Sequence, residues 1–334
     1  MEIVPGIHQL KLPILLLGDQ LAVNAYLIQG DQGWLLVDTG WNTRQAFAAM
    51  EKQLAEIGVG FDNITQIIIT HFHPDHYGLA GRLVELSKAK VALHRVERDF
   101  IDSRYVNTDN LLDETASLLR LNGVPEAELP RLQKASMGVM QFVMPMSPDI
   151  TLNGGEIIHQ GSFDFEVIWT PGHSPGHVCL YDKAKKILLS GDHILPATFP
   201  NISLHPQSGP DPLSHYLRSL RTIETLDIDL VLPAHEYVFT GIRQRIKELL
   251  HHHEQRSTAI TNVLKEGPKT AYDISLQIPW IVNGLTMSFE QLLPLDKRLA
   301  VMSALAHLEP LCAEGKAERV HKNGTILYRT PGVQ

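Results

Sequence analysis

The sequence predicts an α/β protein, and three observations carry that expectation. Strand-like and helix-like patterns alternate through the first half of the chain. The β-branched run Ile67-Ile68-Ile69 has the character of a strand covered on both faces. A composition of 44% apolar and 20% charged residues over 334 positions suits one large domain, or a large domain and a small one. The same composition excludes disorder, collagen-like repeats and coiled coil as the main architecture.

Val23 to Ile28 and Trp34 to Val37 read as strands, the second ending in Asp38-Thr39-Gly40. Thr43 to Ile57 has helical spacing (Phe47, Met50, Leu54, Ile57) with Thr43 as its N-cap. After the strand at 67–69 come a helix over Leu79–Leu86 and a strand over Val91–Leu93. Residues 96–146 break the rhythm with longer helical patterns (Leu111–Leu121, Glu126–Val143), predicting a helical insertion over one end of the sheet. From Ile150 strands return, with Phe163, Phe165 and Val167 alternating with Asp164 and Glu166. Val178–Tyr181 and Ile187–Leu189 are further strands, followed by a proline-rich loop, a helix over Pro212–Leu226, a strand over Leu230–Leu232 and a helix over Thr240–His253.

These boundaries divide the chain into a catalytic domain, 1–255, and a small domain, 256–334. In the latter, helices over Ser257–Leu264, Ser288–Leu292 and Leu295–Ala313 precede a hairpin around Asn323-Gly324, a pattern that suggests a winged helix. That tail carries nine Lys or Arg against seven Asp or Glu, which leaves a formal charge of −10 on residues 1–255. No global positive field therefore draws the chain to nucleic acid or anionic lipid. Two distant cysteines, Cys179 and Cys312, offer neither a disulfide framework nor a thiolate metal site. The apolar run Ile14–Leu17 is short and lacks a charged head, and no stretch is long enough to span a membrane, so the expected location is cytoplasmic.

Histidine is the unusual residue, with 17 in the chain. In Thr70-His71-Phe72-His73-Pro74-Asp75-His76, three imidazoles and a carboxylate follow directly on a buried strand. One buried histidine is usually a satisfied core residue, but four such groups together would each need partners or suffer desolvation. A divalent cation resolves this by making their lone pairs ligands. His71 and His73 can reach one ion while Asp75 and His76 turn toward another. Three later strand ends supply further donors: Thr170-Pro171-Gly172-His173, Ser190-Gly191-Asp192 and Pro233-Ala234-His235. A donor set of nitrogen and oxygen alone suits Zn²⁺ and tolerates Mn²⁺ or Fe.

These motifs resemble the metallo-β-lactamase superfamily, nearest its glyoxalase II-like hydrolases, over about residues 20–245. The resemblance implies an αββα sandwich with two divalent metal ions. It implies that His71, His73 and His173 hold one ion, that Asp75, His76 and His235 hold the other, and that Asp192 bridges them. Asp38-Thr39-Gly40 then corresponds to a supporting motif. Asp192 stands where the true antibiotic hydrolases lack an aspartate, and His73 where the flavodiiron branch has glutamate, so neither of those activities is expected. The winged-helix tail resembles the lactamase-β-like subfamily, some members of which cleave single-stranded RNA.

The expected function is dinuclear hydrolysis in which a hydroxide shared by the metals attacks an ester, thioester or lactone carbonyl of a small acyl substrate, with Asp75 and Asp192 as the catalytic carboxylates. Four residues are candidates for substrate binding: Tyr77 and Tyr237 as oxyanion donors, His193 beside Asp192, and His205 in the proline-rich loop Leu195–Pro206 at the mouth. Met137, Met140, Met144 and Met146 either line a pocket or pack in the insertion, the second being favoured. His251-His252-His253 reads as a solvated helix end. The basic patch by which glyoxalase II binds glutathione finds no match. The tail is expected to close the active-site mouth or a homodimer. Two other readings stand behind the leading one: a metal-dependent endoribonuclease, and a nucleic-acid-binding protein with a structural metal.

Overall fold

Leu35 and Val37 project from one side of their strand and Leu36 from the other, and all three are buried, so this sheet is covered on both faces. The structure, a computed structural model, describes residues 1–14, 21–282 and 284–332. Its first sheet runs in chain order through β1 (Glu2–Val4), β2 (Ile7–Ile14), β3 (Leu21–Gly30), β4 (Gly33–Val37), β5 (Ile64–Ile68), β6 (Lys90–His94) and β7 (Ile150–Leu152). Pairing is antiparallel from β1 to β4 and parallel from β4 to β7. A second sheet holds β8 (Ile157–Gln160), β9 (Phe163–Trp169), β10 (Val178–Asp182), β11 (Ile187–Gly191) and β12 (Leu230–Pro233), antiparallel except for β11 with β12. Parallel neighbours need a crossover, and helices Arg44–Ile57, Ala80–Ser87 and Pro212–Glu224 provide it.

Four layers result. Phe165, Val167, Leu180 and Leu189 pack between the sheets against Ile28, Leu35, Val37 and Ile68. On the outside of the first sheet, Leu36, Ile67 and Leu93 meet Met50, Leu54 and Leu83. On the outside of the second, Cys179, Leu188 and Val231 meet Leu213, Leu220, Ile246 and Leu249. This is the expected αββα sandwich, and it explains why the residues of β10 and β11 are buried throughout.

Local signals operate as their chemistry requires. The Thr43 hydroxyl accepts from the Ala46 amide at 3.1 Å. Asn323 and Gly324 both take positive φ, turning β15 (Glu318–Lys322) into β16 (Thr325–Arg329). The Cys179 thiol is buried beside the Ser190 carbonyl.

Several expectations need correction. β1 and β2 were not expected; they place Ile14 in the first sheet, while the rest of the apolar run to Leu17 lies outside the described residues. The helix expected over Glu126–Val143 is two short helices, Leu129–Gln133 and Met137–Met140, separated by a stretch in which the chain turns. The helices over Thr240–His253 and Ser257–Leu264 are one, Ile242–Leu264, which crosses position 255 without interruption. Beyond it, the proline-containing stretch holds helix Ala271–Gln277, capped by Thr270 and Asp273, and a hairpin of β13 (Trp280–Val282) and β14 (Leu285–Met287). The helix over Ser288–Leu292 is a single 3₁₀ turn. Helix Pro294–Ala313 forms as the pattern predicts. The apolar side of the tail (Ile260, Ile274, Leu305, Tyr328) shares one cluster with Leu119, Leu129 and Leu132 of the insertion. Among the described residues no helix is long and apolar enough to cross a membrane.

Phe165→Ala, which empties the space between the sheets, is expected to cost about 3–5 kcal/mol. Glu166→Ala, on the outer side of the same strand, should stay within about 0.5 kcal/mol. Urea unfolding checks both.

Candidate metal centre

The donor-bearing loops leave the ends of β5, β9, β11 and β12 at one edge of the sandwich, where the sheets are hydrogen-bonded to each other. The Val178 amide donates to the Thr70 carbonyl at 2.9 Å, the Asn24 amide to the Ala234 carbonyl at 2.7 Å and the Tyr26 hydroxyl to the Pro233 carbonyl at 2.8 Å. Two glycines allow the close approaches this requires. A Cβ on Gly172, at φ 146°, would lie 2.5 Å from the Tyr216 Cα, and one on Gly191, at φ 51°, would lie 2.5 Å from His177 Nε2.

Seven donors converge there as three overlapping groups: His71, His73 and His173; His71, His76 and Asp192; Asp75, His76 and His235. His73 Nδ1 lies 2.9 Å from His71 Nε2 and 3.0 Å from His173 Nε2. Four of the five far nitrogens are already engaged. His71 Nδ1 is 3.1 Å from the Thr70 hydroxyl, His173 Nδ1 3.0 Å from the Asn201 carbonyl and His235 Nδ1 3.0 Å from the Ala22 carbonyl. His76 Nδ1 donates to Asp38 Oδ2 at 2.8 Å. A neutral imidazole has one donor and one acceptor, so outward-facing N–H groups leave lone pairs facing inward.

Burial, then the neighbouring imidazoles, holds His71 and His73 well below the usual histidine range. His173 is also lowered, chiefly by burial. Three neutral nitrogens about one point cannot satisfy each other by hydrogen bonding alone. His76 Nε2 and Asp192 Oδ1 are likewise buried with no hydrogen-bond partner among the described residues. A divalent cation fits this donor set: ligands about 2.0–2.1 Å from a tetrahedral zinc stand roughly 3.3 Å apart, and the separations here run from 2.9 to 4.0 Å.

The second group is more strongly charged. His235 Nε2 lies 3.2 Å from Asp75 Oδ2 and 3.4 Å from Asp192 Oδ1, and His76 Nε2 lies 3.6 and 3.5 Å from the same two carboxylates. Burial works against charge on these imidazoles, but the carboxylates outweigh it, holding His76 well above its usual range and raising His235 to about 10. Asp75 and Asp192 are held below the carboxylate range because the imidazoles outweigh their burial. A proton on each imidazole is the monovalent answer to two carboxylates, and a cation would take its place. Asp192 also lies 3.5 Å from His173, so it faces both groups.

Three supports orient the donors. The buried Asp38, at φ 63°, accepts the Thr70 amide at 2.8 Å, the Thr70 hydroxyl and His76 Nδ1–H. His177 Nε2 accepts the Asp192 amide at 3.0 Å, while its Nδ1–H donates to Thr170. Glu97, buried and pushed up to about 7 chiefly by that burial, accepts from the Phe72 and Gly176 amides and the Ser174 hydroxyl, tying the loops of His73 and His173 together. Asp38 was anticipated as a support. His177 stands four residues beyond His173 and has no motif of its own in the sequence, and Glu97 sits in an ordinary helical pattern with no spacing to single it out.

The other predicted residues separate. His205 lines a cavity of about 280 Å³ that also touches His73 and His173. Tyr77 is fully buried, its hydroxyl donating to the Met146 carbonyl and accepting from the Met146 amide, so it does not face the cleft. His193 is buried against Tyr216, behind Asp192, and Tyr237 is exposed. Met140 lines the cavity, whereas Met146 packs in the core. His252 and His253 are not a solvated end: His252 stacks on Phe199 at 3.9 Å, and His253 is buried 3.1 Å from His307.

Fold and site together define a hydrolase with a divalent-metal centre at the edge of an αββα sandwich. The sequence model of the metallo-beta-lactamase superfamily matches residues 18–235, and the chain belongs to that superfamily. It is 27% identical to the probable metallo-hydrolase YqjP of Bacillus subtilis over 312 residues, 92% of this chain and 93% of that one. It is 29% identical to the human acyl-coenzyme A thioesterase MBLAC2 over 234 residues, 66% of this chain and 75% of that one. Among solved structures it superposes on the metallo-beta-lactamase family protein TTHA1429 of Thermus thermophilus with a TM-score of 0.82 and 32% identity, covering 98% of this chain and 100% of the other.

Asp38→Ala removes the acceptor that orients His76 and Thr70, and should weaken metal binding about 10- to 100-fold. Competition with a chromogenic chelator measures this; unchanged affinity would remove Asp38 from the support of the site.

Proposed function

We propose that the protein is a dinuclear metal hydrolase of small acyl substrates, with thioesters as the leading class and esters and lactones beside them. The observation that carries the reading is the inward convergence of seven nitrogen and oxygen donors, four of them imidazoles whose outer nitrogens are already anchored. His71, His73 and His173 would hold one ion, Asp75, His76 and His235 the other, and Asp192 both; zinc suits this set best. Bound divalent cations supply Lewis acidity that polarises a carbonyl oxygen and acidifies water toward neutral pH. Asp75, partly open to the cleft and facing both His76 and His235, is placed to accept and orient a water proton. Asp192 fixes the separation of the two halves through the backbone bond to His177. The similarity to the human acyl-coenzyme A thioesterase supports the thioester as substrate class.

The tail is read as a winged-helix-like module with a structural use. Nucleic-acid contact would draw on Lys316, Arg319, Lys322 and Arg329, yet Lys316 pairs with Glu314, Arg319 with Glu309 and Arg329 with Glu318. Three of the four charges are thus already matched, which supports an acyl substrate over RNA.

Metal-replete protein should carry about two equivalents by elemental analysis, and should hydrolyse a thioester, an aryl ester or a lactone until a chelator is added. His73→Ala should remove most of that turnover while leaving the folded circular dichroism intact. Cleavage of single-stranded RNA or a bis-phosphodiester alone would overturn the acyl assignment.

A further inference from the structure

We infer that the cavity beside the metal centre is an anion-recognising substrate subsite, in which Arg104 and Arg298 receive a carboxylate or phosphate carried by the substrate. This rests on the hydrolase reading and narrows its substrate class. The cavity, about 280 Å³, has His73 and His173 on one wall and apolar Leu111, Met140 and Met302 on others. A group lodged there would be close to the metal-holding imidazoles, within a few bonds of a scissile carbonyl. Two arginines from distant parts of the chain line it. Arg104 comes from helix Ile101–Tyr105 of the insertion, and Arg298 from helix Pro294–Ala313 of the tail.

Neither guanidinium has a salt-bridge partner among the described residues. The ion pairs of arginine among the described residues belong to Arg98, Arg120, Arg221, Arg245, Arg319 and Arg329. Arg104 lies 4.1 Å over the Phe72 ring and gives one N–H to Gln207 at 2.9 Å, while Nη1 of Arg298 donates to the Ser136 hydroxyl at 3.1 Å and to the Gln133 carbonyl at 3.4 Å. The Nε of each is buried with no hydrogen-bond partner among the described residues. The nearby buried carboxylate, Glu97, is already engaged by two amides and a hydroxyl. Burial, then the charge of Arg104, pushes Arg298 down to about 10. His205, beside both, is pushed down to about 3 by burial and then by the two guanidiniums. Two like charges held together out of water without a counter-charge are costly, and planar guanidinium forks match carboxylate and phosphate oxygens in pairs. An anion in the cavity offsets the repulsion, which no neutral acyl chain can do.

The test compares three thioesters of similar chain length: glutaryl-N-acetylcysteamine, valeryl-N-acetylcysteamine and valeryl-coenzyme A. The wild-type kcat/KM should favour an anionic substrate over the neutral one by about tenfold or more. Preference for the glutaryl compound places the anion on the acyl group, and preference for the coenzyme A thioester places it on the leaving group. Arg104→Met and Arg298→Met should each bring that ratio to within about twofold, and Arg298→Lys, which keeps the charge but loses the fork, should fall between. Calorimetry with glutarate and with inorganic phosphate supplies a readout independent of turnover, and binding should weaken about tenfold in both Met variants. Equal rates on all three thioesters, or a preference that survives both Met substitutions, would overturn the subsite and leave the hydrolase reading intact. Anion binding that the Met variants lose, in a protein that cleaves no thioester, would uphold the subsite and remove the thioester reading.

Discussion

The site depends on one buried carboxylate. Asp38 stands at the end of β4 in a left-handed backbone conformation, and from there it holds both the start of the histidine loop, through Thr70, and its end, through His76. The loop between them carries His71, His73 and Asp75, so fixing its two ends fixes three further donors. A buried charge that accepts three hydrogen bonds has few alternative arrangements, because losing any of them leaves a carboxylate oxygen desolvated. That constraint lets loops, rather than strands, hold a metal centre.

The sandwich supplies the rest of the rigidity. Both sheets present the ends of parallel strands at one edge, and backbone hydrogen bonds run from one sheet to the other there. His177 and Glu97 extend the same logic outward, the first by fixing the amide of Asp192 and the second by joining the loops of His73 and His173. The insertion and the tail meet over this edge in a common apolar cluster, and their meeting brings Arg104 and Arg298 into one cavity. The guanidiniums from these two additions are therefore the feature by which a general hydrolytic edge acquires a preference among substrates.

Legibility followed contiguity. His71, His73, Asp75 and His76 stand within six positions, and each of His173, Asp192 and His235 follows a short apolar run that reads as a strand. Phe163, Phe165 and Val167 alternate cleanly because one side of β9 faces the other sheet and one faces water. By contrast, Glu97, Arg104 and Arg298 are single charged residues in helical patterns, where charge ordinarily means a solvated face. Tyr77 and His193 adjoin candidate donors in sequence, but the turn of the helix after Pro74 and the bend after Asp192 point them into the core. The helix over 242–264 reads as two because its polar residues near 254–257 resemble a boundary, whereas the helix runs through them to Leu264.

Sequence alone determined what depends on near neighbours: strand periodicity, the Thr43 cap, the Asn323-Gly324 turn, the donor types and the ends of strands on which they sit. Only the tertiary structure decided what depends on distant residues sharing a low-dielectric space: which nitrogen of each histidine faces inward, which polar groups are buried with partners and which without, and that two arginines 194 positions apart line one cavity. The physical reason is that periodicity and turn chemistry act over a few residues, whereas desolvation and Coulomb energy depend on whatever the fold brings within a few ångströms.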